Sequence, residues 1–245
     1  MRVVRERFHP DRADSREAME ALQNELAETA TFSDDLGFSP EDVRAGDVLV
    51  AGIDQAFLGE RAVSAIVVIR GEEVVEREYA VTPLSMPYVP GLLAFREGGP
   101  IIAALEALTV ELDLLVFDGS GRIHYREAGI ATHVGVLFDT PAIGVAKSLL
   151  CGRPNGPINE LSVGDRVPIE ADDSMSASNG TIVGYAYQSR QYPNSKKINP
   201  LYISAGHRLS AETAVDCVET CGGEYKLPRP TRLADQYAGE VKSGL

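Results

Sequence analysis

The chain is 245 residues long, 44% hydrophobic and 24% charged, a composition that supports a substantial buried core in one large domain or two small ones. No apolar run approaches the roughly 18 residues that span a bilayer, and the opening MRVVRERFHPDRAD lacks an apolar signal core, so a cytoplasmic location is expected and neither membrane insertion nor secretion is. The formal net charge of −13, from 36 acidic against 23 basic residues, argues at face value against a nucleic-acid partner.

That argument does not decide the matter. The acids are dispersed and only five of the basic residues are lysines, a pattern that suits solubility in a salt-rich cytoplasm. In such a medium the Debye length is a few Å, so local basic clusters outweigh the global field. Of the three cysteines, Cys217 and Cys221 stand four apart without the CxxC spacing or nearby histidine of a zinc site, and reduced structural thiols are expected.

In chain order, residues 14–29 have the pattern of an amphipathic helix, with Asp14 or Ser15 as N-cap and Met19, Leu22 and Leu26 on one face. The stretch FSDDLGFSPEDVRAGD that follows reads as loop. VLVAGID, AVSAIVVIR and EVVEREYAV are predicted strands, the last two joined as an antiparallel hairpin through Arg70-Gly71-Glu72. Next comes MPYVPGLLAFREGGP, where Pro87 and Pro90 make the segment around Tyr88 stiff and extended. A helix is expected over IIAALEALTVEL with Pro100 in its first turn, then a short buried strand DLLVFDG. GIATHVGVLF is helical in composition and TPAIGVA reads as a strand. VGDRVPIEADDSMSASNGTIVGYAYQSR reads as a β-hairpin with a polar tip, and SAETAVDCVETCG as a late helix ended by glycine. This order implies an α/β fold, a mixed sheet covered by helices in a single domain over residues 1–245.

Three acids stand where such a fold concentrates chemistry. Asp54 follows VLVAGI, Asp118 follows DLLVF, and Glu97 precedes a double glycine at the mouth of the connecting helix. Neighbouring strands lie about 5 Å apart, so two strand-end aspartates can share one divalent ion. Taken singly, Asp54 or Asp118 reads more readily as a turn or capping residue and Glu97 as a solvated charge; the joint pattern is harder to dismiss. His124 and His207 recur in polar loops, and Lys147 follows the apolar run AIGVA, where a half-buried ammonium needs an anion. Gly119 and Gly121 allow close backbone approach, although GSG is no phosphate-loop motif.

Five ordered blocks, AGIDQAF, PYVPGLLAFREGGP, FDGSGRIHYREAGIATHVGV, IGVAKSLLCG and PLYISAGHRLSAETA, resemble the endonuclease V family, the deoxyinosine 3′-endonucleases. The resemblance covers about residues 45–220, the expected catalytic core, with the helix in residues 1–35 ahead of it. It implies an RNase H-like fold and a Mg²⁺-dependent endonuclease, with Mn²⁺ a substitute. That enzyme would recognise deoxyinosine in DNA and hydrolyse the second phosphodiester 3′ to it, leaving a nick. Asp54, Asp118 and Glu97 would be metal ligands, His207 would stand beside the metal and the attacking water, Lys147 would meet the reacting phosphate, and His124 would support the same loop. Tyr88, framed by Pro87, Val89 and Pro90, would be the wedge that fills the space of the turned-out base, offsetting part of the unstacking cost. Backbone groups of Gly91, Gly119 and Gly121 are candidate base or phosphate contacts. The sequence departs from the family pattern at Tyr125, where a proline is common, and at Val89, where isoleucine is. A ribonuclease acting on inosine-containing RNA and a non-catalytic nucleic-acid-binding protein are the competing readings, and the expected state is a monomer.

The dispersed acidic surface has a measurable consequence. Solubility and activity should persist as salt is raised toward molar concentration; a protein soluble and active only in low-salt buffer would contradict the salt-adapted reading.

Overall fold

A computed structural model describes residues 1–84, 86–195 and 197–245. Ser15 starts α1 (Arg16–Thr29), its hydroxyl accepting the Ala18 N–H at 3.1 Å. Inside the stretch expected to be loop, Ser39 and Asp42 form a capping box that begins a short helix, α2 (Pro40–Ala45), ended by Gly46 at φ 83°. β1 (Leu49–Leu58), β2 (Arg61–Arg70) and β3 (Glu73–Pro83) form an antiparallel meander, with the expected turn at Gly71.

α3 (Leu93–Ala107) begins about two turns earlier than expected and holds Pro100 in its interior. The proline removes one helical hydrogen bond, but burial of Ile101, Ala104 and Leu105 holds the helix regardless of that local defect. Gly98 does not break it either: a Cβ there would lie 2.7 Å from Cγ of Pro10, so the glycine serves close packing. Then come β4 (Leu114–Asp118), α4 (Ile130–Phe138), β5 (Ala142–Ala146), a two-residue β6 (Arg153–Pro154), β7 (Arg166–Glu170) and β8 (Ile182–Tyr187). β7 and β8 are the expected hairpin. β9 (Leu201–His207) precedes α5 (Ala211–Thr220), and a final helix, α6 (Arg229–Gly244), closes the chain; neither β9 nor α6 was expected from the sequence.

Among the described residues nine strands form one mixed sheet in the order β3-β2-β1-β4-β5-β9-β8-β7-β6, covered by helices on both faces, as the RNase H-like expectation requires. β1, β4 and β5 run parallel, and β9 returns antiparallel to β5. On one face α1, α3 and α4 bury Leu26, Ile101, Leu105 and Val134 against Ile53, Leu115 and Phe117. On the other, α2, α5 and α6 bury Val43, Val215 and Ala234 against Val50, Val116 and Val145. Among the described residues no helix is long and apolar enough to cross a membrane. The three cysteines are free and buried.

His133 of α4 is wholly buried; its Nε2–H donates to the Phe8 carbonyl at 2.7 Å while Nδ1 has no partner. A second proton would be buried without an acceptor, and burial holds its pKa down to about 4. Burial likewise takes His124 to about 4. The unfolded chain therefore binds protons that the native state refuses between about pH 6.5 and 4, so this stability is present above pH 6.5 and is lost as pH falls through the window. Each histidine should cost on the order of 2 kcal/mol by pH 5. Asp54, raised to about 8 by burial and by Asp118, titrates in the opposite sense. The His133 share is therefore read as a difference: His133→Gln should show a shallower loss of stability from pH 7 to pH 5 than the parent in urea titrations.

Candidate active site

Ile53 of β1 pairs in parallel register with Phe117 of β4, so the next residue on each strand, Asp54 and Asp118, emerge side by side on one face. Asp118 in turn pairs with Val145 of β5, and Lys147 lies two residues further along that strand's path, on the same face. Its ammonium meets Asp118 Oδ2 at 2.5 Å and is half exposed. Burial opposes the charge on Lys147, but the hydrogen bond to Asp118, with the fields of Asp118, Asp54 and Asp235, outweighs burial and raises its pKa. Asp54 is 7% exposed and accepts the Gln55 N–H at 2.7 Å. Burial, then the charge of Asp118, takes its pKa to about 8: two clustered carboxyls with one cation between them do not both ionise freely.

A fourth acid, Asp235, joins this group from α6. Gly52 lets the helix sit directly on β1, since a Cβ there would lie 2.0 Å from the Pro230 carbonyl oxygen. Asp54 lies two residues beyond that contact on β1 and Asp235 five residues beyond it on α6. The field of Asp235 acts on both Asp54 and Lys147. Glu97 enters from α3 on the opposite face. Burial raises its pKa, the Arg96 guanidinium at 2.8 Å opposes the rise, and the charge of Asp118 adds to it.

All these donors are hard carboxylate oxygens, which suit Mg²⁺, and the proton held by Asp54 marks negative charge that a cation would neutralise. Among the described residues no three acids, histidines or cysteines are grouped closely enough to ring an ion. The fit is therefore to an ion gripped by one or two carboxylates, with positions left for water and phosphate oxygens.

Beside the acids lies a cavity of about 230 Å³, lined by Tyr88, Gly91, Gly119, His124, Ile130 and Ser148, among others. Tyr88 stands at its rim, 62% exposed. The rim is a type II turn: the Leu92 N–H donates to the Val89 carbonyl at 3.0 Å, with Pro90 and Gly91 at the centre and Gly91 at φ 83°. The Gly91 carbonyl accepts from Gln23 Nε2 at 2.7 Å and His124 Nε2 at 3.0 Å. His124 Nδ1 accepts the Arg126 N–H, so the ring is the neutral Nε2–H tautomer. Both ring nitrogens are thereby engaged by the chain itself, Nε2 at the Gly91 carbonyl of the Tyr88 turn. Tyr125, in the place where proline is common, packs on Gly91. Val89 packs with Leu92 and Phe95, whereas Pro87 and Pro90 are exposed.

Two expected residues are elsewhere. His207 ends β9, which runs antiparallel to β5 and pairs it with Ala142, at the far end of the sheet from Lys147. There its Nδ1 accepts the Thr31 N–H and Nε2 meets Asp139 at 3.1 Å, so it cannot stand beside the acids. Gly121 is packed inside the body: its N–H donates to Ser204 Oγ at 3.0 Å, and a Cβ would lie 2.3 Å from the Ala205 oxygen. Asp235 escaped the sequence reading because it lies in a polar helix without a strand-end signature. The signal available was the run LPRPTRLAD, in which prolines start a helix after Cys221.

The Endonuclease V family model matches residues 36–236. Endonuclease V of Natronomonas pharaonis is 69% identical over 243 residues, covering 99% of this chain and 98% of that protein. The crystal structure of Endonuclease V from Bacillus subtilis superposes with a TM-score of 0.83 at 28% identity, covering 100% of this chain and 98% of that one. Endonuclease V of Ciona intestinalis, crystallised in complex with a 24mer DNA containing an inosine followed by a ribo-adenosine, gives a TM-score of 0.75 at 29% identity over 92% of this chain and 97% of that one. With its acids aligned on β1 and β4 and its match running from α2 into α6, this chain belongs to the Endonuclease V family.

Proposed function

We propose that this chain is a Mg²⁺-dependent endonuclease that turns a deoxyinosine out of DNA and hydrolyses the second phosphodiester 3′ to it, leaving a nick. The observation that carries this reading is the placement of a base-sized cavity, rimmed by a rigidly held Tyr88, directly beside the paired carboxyls of Asp54 and Asp118. The inosine-containing DNA bound by the Ciona intestinalis relative supports it. Asp54 and Asp118, with Asp235 and Glu97 around them, would hold the cation, for which Mn²⁺ is a substitute. When bound, it polarises a phosphoryl oxygen and eases ionisation of water.

The protein's own groups do the rest. Lys147, tied to Asp118 at 2.5 Å yet half exposed, presents positive charge where the phosphate passes. Tyr88 fills the stack left by the base, and the turn clamped by Gln23 and His124 keeps it at a constant distance from the acids. Gly119 leaves the cavity wall open for the base. Water adds to phosphorus as one P–O bond breaks, giving one hydroxyl end and one phosphomonoester end. Cleavage of inosine-containing RNA is the second reading, favoured by the ribonucleotide that follows the inosine in the Ciona intestinalis complex.

End-labelled DNA and RNA duplexes carrying one inosine, incubated with Mg²⁺ or with EDTA, test the proposal. A metal-dependent nick one nucleotide beyond the lesion in DNA supports it, and cutting of RNA alone transfers it to the second reading. Asp118→Asn should lower cleavage at least about 100-fold with the fold retained. Tyr88→Ala should reduce preference for inosine over unmodified DNA by about 5- to 150-fold, the equivalent of about 1–3 kcal/mol of stacking. Undiminished preference would remove the wedge.

A further inference from the structure

β8 runs parallel to β5, because each is antiparallel to β9, with Tyr185 and Val145 both paired to Ile203. The described residues of the β8–β9 loop, 188–195 and 197–200, therefore rise from the same end of the sheet as Lys147 and the acids. The α5–α6 connection lies against it: Ser189 Oγ donates to the Lys226 carbonyl at 2.6 Å. Within the loop, Gln188 Nε2 donates to the Arg190 carbonyl at 2.8 Å and Gln188 Oε1 accepts the Asn199 N–H at 3.3 Å. These contacts bring Arg190, Lys197 and Lys226 into one region next to Lys147.

The region runs against the character of the molecule. In a chain of net charge −13 with five lysines, Lys197 and Lys147 are both close enough for their charges to act on Lys226. Burial, then the charges of Lys197 and Lys147, lowers the pKa of Lys226, and no carboxylate contributes to offset them. The buried Nε of Arg190 has no hydrogen-bond partner, and its guanidinium lies 5.7 Å from the ring of Tyr192, which is exposed. Among the described residues, no carboxylate forms an ion pair with Arg190, Lys197 or Lys226, whereas Arg5, Arg96, Arg122 and Arg166 all have such partners. Three unpaired cations held together beside a phosphate-handling site call for an external polyanion. The side on which they lie is defined as well. The base cavity opens on the face of α1, α3 and α4, and these cations lie toward the face of α5 and α6, with the acids between.

We propose that the β8–β9 loop and the α5–α6 connection form a shelf for the phosphodiester backbone of the substrate strand on the 3′ side of the cut, with Lys226, Lys197 and Arg190 as its phosphate-binding groups. The polarity rests on the proposed function, in which the base enters the cavity and the scissile bond lies 3′ to it. Each lysine neutralises one backbone phosphate and releases its counterions. Exposed Tyr192 offers a flat surface beside Arg190 for an unpaired base.

The test uses the full chain and its Lys197→Gln, Lys226→Gln and doubly substituted forms, with Lys226→Arg as the charge-retaining control. Binding to an inosine duplex in EDTA, followed by anisotropy across a salt range, should give a log–log slope shallower by about 0.9 per lysine removed. On substrates with long 3′ flanks the loss should fall on KM, about 5-fold or more for the double form. It should vanish on substrates ending one or two nucleotides beyond the cut, and Lys226→Arg should restore most of the affinity. An equal salt slope and KM in parent and variants would overturn the shelf, as would a loss that persists on truncated substrates or falls on kcat alone. Lys197 is exposed, so its variant carries the test even where Lys226→Gln fails to fold. If the parent cuts no inosine substrate while the variants still flatten the salt slope, the shelf stands and the proposed function fails. If the parent cuts and the variants match it, the reverse holds.

Discussion

Two carboxyl groups on adjacent parallel strands govern this structure. The register that sets Ile53 against Phe117 forces Asp54, in the middle of β1, and Asp118, at the end of β4, to emerge together on one face, within a few Å of one another. Such a pair is unfavourable unless a cation shares it, and the surroundings are arranged around that need. Lys147 arrives from the next strand and bonds Asp118, and Arg96 accompanies the buried Glu97. α6 is drawn onto β1 at Gly52 and adds Asp235 instead of relieving the charge. The protein concentrates negative charge here beyond what its own cations balance, the condition in which a divalent ion binds through few ligands and keeps room for substrate.

The second constraint is rigidity. Under the proposed function, in which one group is recognised and another is cut, the two must keep a constant separation. The chain achieves this with a proline-framed type II turn, whose central carbonyl is held by Gln23 from α1 and by His124 from the loop after β4. The same loop carries Gly119 into the cavity, two residues before Gly121 is locked into the body by Ser204. Cavity, turn and acid pair are thereby fastened to β4 within a few residues of one another. Burial keeps His124 neutral, so this clamp does not change its charge near neutral pH.

Charge is distributed in two ways at once. The surface as a whole is acidic, which repels nucleic acid at long range and is screened by salt. Close to the site the balance changes: Lys226 lies within the fields of Lys197 and Lys147. At high ionic strength only the near field operates, so a few well-placed cations can serve a polyanionic ligand while the remaining surface maintains solubility.

How much of this could be read from the residues follows from the range of each interaction. Asp118 was legible because an apolar run ending in an acid marks a strand end, and the helix at 14–29 because its cap and its stripe are local; Asp54 carries the same local mark but lies in mid-strand, because β1 runs on to Leu58 paired with β2. The PYVP turn was legible because proline acts on its immediate neighbours. α3 was misjudged at its start, since Gly98 and Pro100 look like breakers until the packing of Pro10 and the buried Ile101 is seen. His207 looked catalytic by its block, but β9 runs antiparallel to β5 and carries it to the far end of the sheet, a direction that no local signal encodes. Asp235 was missed because Asp54 lies about 180 residues away along the chain, across the contact of α6 with Gly52. The sequence by itself determined most of the elements, the α/β class and the two acids that follow apolar strand runs, because these depend on residues close in the chain. Only the tertiary structure decided which ends meet, which histidine is excluded and which helix supplies the fourth acid, because strand direction and helix docking are set by burial between distant segments.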